Sequence, residues 1–574
     1  MARFAIRGMG GMVPRLDPGV LPDNMSEQAQ DCDFRSGNLD GLPQLQLVKS
    51  LPGARKAFRF PDALNEVVVW LKLPSEFSSV CRSPLTNDAT RRIYWTNPGD
   101  LSPHWATFAM INDDNNFGVP LVPYDLGIDQ PNPGSGSALS VSVTGGTTSV
   151  PQVARSYCYT FINDFGEESA PSYPSVIVEG PADGTWTIYG LPPPPPAGSS
   201  GRNYPFVRKV RLYRTVTGLQ TGASFYMIVD FLISPDPYVD VSTDLQIIDN
   251  PTLISTSWGN PPDHLDGLVS LPGGMMVGFT GNTIHFCEPY RPHAWPAIYD
   301  QSVLYDIVAL TAWNQSLAIL TAGFISAGTG NSPANYIINQ TQVAEPCISR
   351  GSVVTDLQGV IYSSQNGLVK TNYFQADIIS LDTMSKQLWL TLYHGATIIG
   401  ARHRAQYIAI HSDGGFIFDG TDNKTGFVLL NTVDNATAIW NDEFEGNTYV
   451  MIAGNVYLWD SPTAAHDTYQ WKSKQFYAPA PISLGAVHVT SSPRVDDAMP
   501  SDPSGLLPDG VHARFRIFSG PDLTLIMERD IQKPTDIFRL PSGFRAFDWQ
   551  IELIGRVRID SVELASTMKE LQGV

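Results

Sequence analysis

Gly281-Asn-Thr-Ile-His-Phe-Cys-Glu-Pro-Tyr-Arg-Pro-His-Ala-Trp295 is the stretch from which the rest of the chain can be read, because its first half recurs. A glycine turn followed by a short alternating apolar run appears at Gly281-Asn-Thr-Ile-His-Phe, Gly323-Phe-Ile-Ser-Ala, Gly367-Leu-Val-Lys, Gly415-Phe-Ile-Phe and Gly454-Asn-Val-Tyr-Leu-Trp, in steps of 42, 44, 48 and 39 residues. That spacing matches one four-stranded blade and predicts a β-propeller. Glycine turns before strands occur in any all-β protein, so a sandwich is the alternative. Successive hairpins, however, should repeat at about 8 to 12 residues rather than about 40.

Composition agrees with an all-β chain. Of 574 residues, 49 are Gly and 45 are Pro, as expected where many short strands each need a turn. Hydrophobic residues make up 43% and charged residues 16%, enough apolar surface for folded cores and too little charge for a disordered chain. The length calls for several domains.

The formal charge of −19, with no long Lys or Arg run, argues against a protein that grips nucleic acid, since that affinity rests on cations against phosphates. Cys32, Cys81, Cys158, Cys287 and Cys347 are odd in number and dispersed, with no C-x-x-C pair, so neither a zinc site nor a disulfide framework is expected. Met-Ala-Arg-Phe-Ala-Ile-Arg at the start lacks the apolar core of a secretory signal. No apolar run has the length of a membrane span.

Residues 1–32, which mix three prolines with a short Ser26–Asp31 segment, predict an extended arm lying against the propeller or a neighbouring subunit. Residues 33–134 hold a hairpin signal at Phe34-Arg-Ser-Gly-Asn-Leu-Asp-Gly and strands at Glu66-Val-Val-Val-Trp-Leu and Arg92-Ile-Tyr-Trp-Thr. These are propeller strands or a small β domain. Residues 135–255 open with an uncharged segment. Strands follow, in the first of which Tyr157, Tyr159 and Phe161 share a face, so an inserted Ig- or fibronectin-like β-sandwich is predicted. The run Pro192-Pro-Pro-Pro-Pro is read as a loop, with a polyproline ligand as the lesser alternative. Residues 256–480 carry the blades, and within them 382–394 is the one stretch with helical character. Beyond a Pro-, Asp- and Ser-rich loop at 491–510, residues 481–574 form a C-terminal β section, either a small sandwich or the strands that close the propeller.

Catalytic signatures are missing: no nucleophile elbow, P-loop, H-E-x-x-H, EF-hand or G-x-G-x-x-G pattern occurs. Asp113-Asp114 and the acids between Asp263 and Asp266 could pair for glycoside hydrolysis, but carboxylates in turns are usually caps or solvated. Ser412-Asp-Gly-Gly resembles a sialidase Asp-box only faintly and does not recur. His293 has no His, Cys or acid at ligand spacing. No catalytic residue, cofactor or metal is therefore expected.

Glu288-Pro-Tyr-Arg-Pro-His-Ala-Trp-Pro resembles the blade motif of structural tail proteins from short-tailed bacteriophages, the nozzle or tail-hub class. Leu21-Pro-Asp-Asn, Arg92-Ile-Tyr-Trp-Thr, Gly166-Glu-Glu-Ser-Ala-Pro-Ser and Trp471-Lys-Ser-Lys extend the resemblance along most of the chain, each as a short motif. The resemblance implies a non-enzymatic virion protein, assembled in the host cytoplasm into a homo-oligomeric ring, usually a hexamer. Such a ring sits below the portal and adaptor, meets tail fibre or needle proteins, and encloses the exit channel of double-stranded DNA. No catalytic residues carry over. Tyr290, Arg291, His293 and Trp295 are the candidate subunit contacts, since aromatic and Arg side chains dominate interface hot spots. Equally, Trp295 could fill a crevice between blades. Two further classes stay open: a propeller that binds carbohydrate or a receptor at a cell surface, and a propeller hydrolase.

Overall fold

Thr283–Phe286, Ser326–Thr329, Gly367–Thr371, Gly414–Phe418 and Asn455–Leu458, the strands that follow the five repeated glycine turns, all occupy the same place. Each is the third strand of a four-strand run, sequential in four of them, while the run of Asn455–Leu458 takes its last strand from Gln46–Ser50. This holds in a computed structural model that describes residues 3–62, 67–131, 139–191, 201–216, 224–372, 375–391, 393, 395–419, 426–492, 505–508, 510–543 and 545–571. Two of these glycines sit at the centre of the hairpin turn itself. Gly281 has φ 57 at the first central position of a two-residue turn closed by the Thr280–Thr283 pair, the II′ arrangement. Ala453 and Gly454, at φ 49 and 76, form the I′ arrangement between Ile452 and Asn455.

By contact density the chain divides into two compact units, Ser78–Ile319 with Ser326–Gln340, and Met1–Phe77 with Leu320–Ile325 and Thr341–Val574. The divisions fall inside the stretches 33–134 and 256–480, each of which the sequence suggests is a single module. The first of these units holds a sheet of Ser79–Arg82, Arg92–Thr96, His104–Thr107 and Tyr124–Asp125, and another of Asp266–Leu271, Met275–Thr280, Thr283–Phe286 and Gln301–Ser302. Cys81, Tyr94 and Trp105 of the one pack with Leu268 and Met276 of the other, and with Cys287 just beyond it. The opposite face, with Met275, Val277 and Phe286, packs on Ile307, Leu310 and Leu317 of the next run. A short sheet apolar on both faces must be covered on both, and stacking like a blade does this.

The other unit repeats the scheme. Val354, Ile361 and Leu368 share a core with Tyr407, Phe416 and Phe427 of the run Ile399–His403, Gln406–His411, Gly414–Phe418 and Phe427–Leu430. The helical stretch expected at 382–394 is a short helix at Lys386–Thr391 that puts Trp389 into this core. The run Ala436–Asn441, Thr448–Ile452, Asn455–Leu458 takes its fourth strand from Gln46–Ser50, and shares a core with the hairpin Lys56–Asp62 and Val67–Leu73. The hairpin expected after Asp33 is the pair Cys32–Asp33 and Asp40–Gly41.

Two strands from the first 32 residues, expected to be an extended arm, join the sheets of the C-terminal β section. Arg3–Arg7 pairs with Arg558–Ala565, in a sheet with Ala486–Ser492 and Thr535–Arg539. Ser26–Gln30 pairs with Tyr469–Ser473, next to Ala546–Gly555, Ala513–Ser519 and Thr524–Ile531. Ile6, Val487, Val562 and Leu564 meet Ala29, Trp471, Phe515, Ile551 and Leu553 in one core, so residues near both ends build a two-sheet sandwich together. Proline-rich composition hid this, because each strand from the first 32 residues is only five residues long.

Two three-stranded sheets lie within the segment expected to be an insertion. Ser140–Thr144, Thr185–Tyr189 and Tyr238–Asp240 form one, and Tyr157–Asn163, Val207–Thr215 and Phe225–Leu232 the other. Tyr157, Tyr159 and Phe161 do share a face, packed with Trp186, Ile188, Val210 and Leu212. The edge of Tyr157–Asn163 away from Val207–Thr215 is covered by Ser169-Ala-Pro-Ser-Tyr-Pro-Ser175. The hydroxyls of Ser169, Ser172 and Ser175 accept from the N–H groups of Phe161, Tyr159 and Tyr157 at 2.9, 3.1 and 3.0 Å. Their own N–H groups donate back to the same three carbonyls. An edge that would template another chain is thereby closed. The run 192–196, the start of the uncharged segment at 132–138, and the 491–510 loop over 493–504 and at 509 lie outside the described residues.

Ile6 is 2% exposed, so Ile6→Ala should cost about 2 to 5 kcal/mol and lower the melting temperature. A thermal scan in which Ile6→Ala melts like the wild type would mean that Arg3–Arg7 is not a core strand.

Candidate interface residues and the buried junction beside them

Past its third strand, the 281–295 stretch leaves the sheet and folds through two tight turns, Arg291 N–H to the Glu288 carbonyl and Ala294 N–H to the Arg291 carbonyl. The turns send the four candidate side chains in different directions. Tyr290, at φ 60, is 52% exposed; its ring lies where a Cβ on Gly274 would stand, and its N–H donates to the Gly274 carbonyl. Arg291 is half-buried with its guanidinium 4.5 Å from the centre of the Trp258 ring. His293 and Trp295 are each 4% exposed.

Trp295 belongs to the core between the 79–125 and 266–302 sheets, and its indole N–H donates to the Pro292 carbonyl at 2.8 Å. It fills a crevice between two sheets of its own chain. Neither His293 nor Trp295 therefore presents a side chain for a partner to touch; of the four, Tyr290 and, to a lesser extent, Arg291 do so. The cause is geometric. A residue just beyond a strand has no in–out alternation from which exposure can be read.

His293 leads to a site that the sequence did not single out. Its Nε2 lies 3.1 Å from the Glu168 carbonyl oxygen and so carries the hydrogen, and its Nδ1 lies 3.7 Å from Glu167 Oε1. Glu167 accepts from Arg92 at 2.6 Å and from Asn163 at 2.8 Å. Glu168 accepts from Tyr213 at 2.6 Å, Thr160 at 2.8 Å and Arg211 at 3.0 Å, and Arg211 also pairs with Asp230 at 2.7 Å. Arg92 holds Asp88 at 2.9 Å. Burial opposes the ionised form of Asp88, and the Arg92 hydrogen bond and charge outweigh it, bringing the carboxyl down to about 2. Burial lowers His293, leaving a neutral imidazole at pH 7.

Three stretches far apart in sequence thus meet in one buried junction: Arg92 from Arg92-Ile-Tyr-Trp-Thr, Glu167 and Glu168 from Gly166-Glu-Glu-Ser-Ala-Pro-Ser, and His293 from Glu288-Pro-Tyr-Arg-Pro-His-Ala-Trp. The junction ties the two-sheet module to the blade-like sheets of the same unit. Each carboxylate is saturated by donors and both nitrogens of His293 face protein groups, so the arrangement holds elements together and offers no accessible base. A signal for it was present: Arg92 opens an otherwise apolar, wholly buried strand, and a charge there needs an opposite charge elsewhere in the chain.

The other sequence candidates are dispersed. Asp113 and Asp114 lie where the helix Phe108–Asn112 runs on into a wider last turn, Asp113–Phe117, Asp263 pairs with Arg202, and Asp266 accepts from Thr96 at 3.2 Å. Ser412-Asp-Gly-Gly spans the turn between Gln406–His411 and Gly414–Phe418. All five cysteines are buried and none is in a disulfide, and burial pushes the Cys158, Cys287 and Cys347 thiols up to about 12. Among the described residues, no group of three or more His, Cys, Asp or Glu side chains could hold a metal ion, and no helix is long and apolar enough to cross a membrane.

No family model matches the chain, and no curated protein matches it either. Among solved structures it is similar to the Neurospora crassa Pan2 WD40 domain, at 10% identity over 50% of this chain and 86% of that one, TM-score 0.25. It is also similar to Myxococcus xanthus glutaminyl cyclase, at 10% identity over 43% and 84%, TM-score 0.16. A third likeness is to PorZ of Porphyromonas gingivalis, at 11% identity over 59% and 46%, TM-score 0.21. Superpositions this loose carry no activity or partner to this chain.

Arg92→Ala would leave Glu167 buried without its cation and should cost about 3 to 5 kcal/mol. Trp295→Ala should cost a similar amount, about 3 to 5 kcal/mol, through the cavity left between the two sheets. Chemical denaturation checks both, and a loss below about 1 kcal/mol for either would contradict the burial described here.

Proposed function

We propose that this chain is a structural virion protein, one subunit of a ring in the nozzle of a short-tailed phage tail, which encloses the DNA exit channel and connects the portal and adaptor to distal tail parts. One observation carries this. The three stretches whose likeness to nozzle proteins is most extended, around Arg92, Gly166 and Glu288, converge on the junction built by Arg92, Glu167, Glu168 and His293. A motif set shared with an architectural family is expected to serve architecture, and a saturated buried junction is architecture.

Within this proposal the blade-like sheets belong to a β-propeller, and the two-sheet module between them is its Ig- or fibronectin-like insertion. The protein is non-enzymatic and needs no cofactor. Its partners are further copies of itself, most simply six, the portal or adaptor above, fibre or needle proteins below, and double-stranded DNA that passes without specific binding. The charge of −19 suits that last role, since a carboxylate-rich wall repels phosphates and lets the duplex slide where a basic wall would hold it.

Mass measurement with negative-stain microscopy of the purified protein should show closed rings, alone or on co-expression with portal and adaptor. Tyr290→Ala should leave a folded chain whose assembly is weakened about tenfold or more, whereas Trp295→Ala should lose stability first. A monomer under every condition, also absent from particles, would refute the ring.

A second possibility rests on a specific surface. Tyr477 and Phe547 stack at 5.8 Å and 13° on the outside of the terminal sandwich, 67% and 39% exposed, and their outward ring faces are apolar surface on which a sugar could pack. A glycan array would favour that role if it shows binding lost in Tyr477→Ala. Turnover of a polysaccharide abolished by one Asp or Glu substitution would instead make the protein an enzyme.

A further inference from the structure

Asp31 follows Ser26–Gln30 in the left-handed conformation, at φ 50, and is 6% exposed. Its Oδ1 accepts from the Asn431 N–H at 3.0 Å, the Thr432 N–H at 3.4 Å and the Thr432 hydroxyl at 2.8 Å. From another segment, Asp467 brings its Oδ2 to 3.1 Å from that same hydroxyl. Backbone bonds complete the circuit: Leu42 N–H to the Asp31 carbonyl, Asp467 N–H to the Leu42 carbonyl, and Asp31 N–H to the Leu429 carbonyl.

A hydroxyl has one hydrogen to donate. Thr432 can give it to Asp31 or to Asp467, and the remaining oxygen–oxygen contact requires a hydrogen on the carboxyl itself. Among the described residues, neither carboxylate is in an ion pair. Asp434 acts on Asp31, Gln44 bonds Asp467, and Asp40, Cys32 and Tyr469 face the same interior. His466, half-buried, precedes Asp467 and bridges Pro43 through its backbone. Arg35 is taken up by Asp33 and Asp460, and Arg556 reaches the Thr468 hydroxyl.

We propose that Asp31, Thr432 and Asp467 share one proton and act as a pH-dependent clasp, tying the segment after Ser26–Gln30 to Phe427–Leu430 and to the entry of the terminal sandwich at Tyr469. In the protonated state the circuit of bonds is closed. When the proton leaves, two carboxylates face each other across one hydroxyl and the clasp loosens. The carboxyls respond as this geometry requires: burial and then the charge of Asp31 push Asp467 up to about 6, and burial raises Asp31. The sign follows. A carboxyl raised above its unfolded value of about 4 stabilises the closed form fully below that value, and the contribution is lost as pH rises to about 6.

Hydrogen exchange read by mass spectrometry on the full chain tests this, in peptides covering 426–434 and 464–470. After correction for intrinsic rates, local protection should fall roughly tenfold per pH unit between about pH 4 and 6 and then level off, one proton being released on opening. Asp467→Asn, whose amide supplies the missing hydrogen, should remove that slope and keep protection high at pH 7.5. Asp31→Asn should also flatten it. Flat protection in the wild type, or a wild-type slope retained in whichever of the two variants folds, overturns the clasp.

Discussion

The inner strands of the blade-like runs carry apolar side chains on both faces, and that constraint governs the rest of the chain. A strand such as Arg92–Thr96 or Val360–Ser364, buried along its whole length, cannot face water on either side. A short twisted sheet of such strands finds cover by stacking on another like it, as the cores joining Cys81 to Met276 and Phe286 to Leu317 illustrate. Two-sided burial of this kind leaves the edges and termini to be satisfied by other means. The fourth strand at Gln46–Ser50 and the serine ladder along Tyr157–Asn163 are two such means.

Charge is used inside these units with economy. Arg92 and Arg211 are each met by two carboxylates, and Glu167 and Glu168 each by a guanidinium and by neutral donors, a condition for burying ions without large loss. Arg214 and Asp240, both fully buried and 2.6 Å apart, with Tyr157 also donating to Asp240, repeat the pattern inside the two-sheet module. Asp31 and Asp467 break it, since acids meet there without a cation. That difference in surroundings is what makes their protonation state a variable rather than a given.

Much of the fold was legible in the residues. The glycine turns marked third strands, and at Gly281 and Gly454 the reason is a positive φ at a central position of the hairpin turn. Tyr157, Tyr159 and Phe161 were placed on one face by a period of two, and Phe34 to Gly41 was recognisable as a hairpin from turn residues alone. Arg3–Arg7 and Ser26–Gln30 were not legible as sandwich strands. Their partners lie hundreds of residues away, and a five-residue strand amid prolines carries too little pattern to announce a partner.

The sequence by itself determined that the chain is β-rich, acidic, repetitive at about 40 residues, and built around the stretch that begins at Gly281. Local rules suffice for that, since turn chemistry and alternation act over a few residues. Only the tertiary structure decided that Trp295 and His293 face inward while Tyr290 faces out, that Arg92 meets Glu167, and that one threonine hydroxyl lies between Asp31 and Asp467. Those facts depend on which distant segments are brought together, and packing between sheets, not the order of residues along any one strand, sets that.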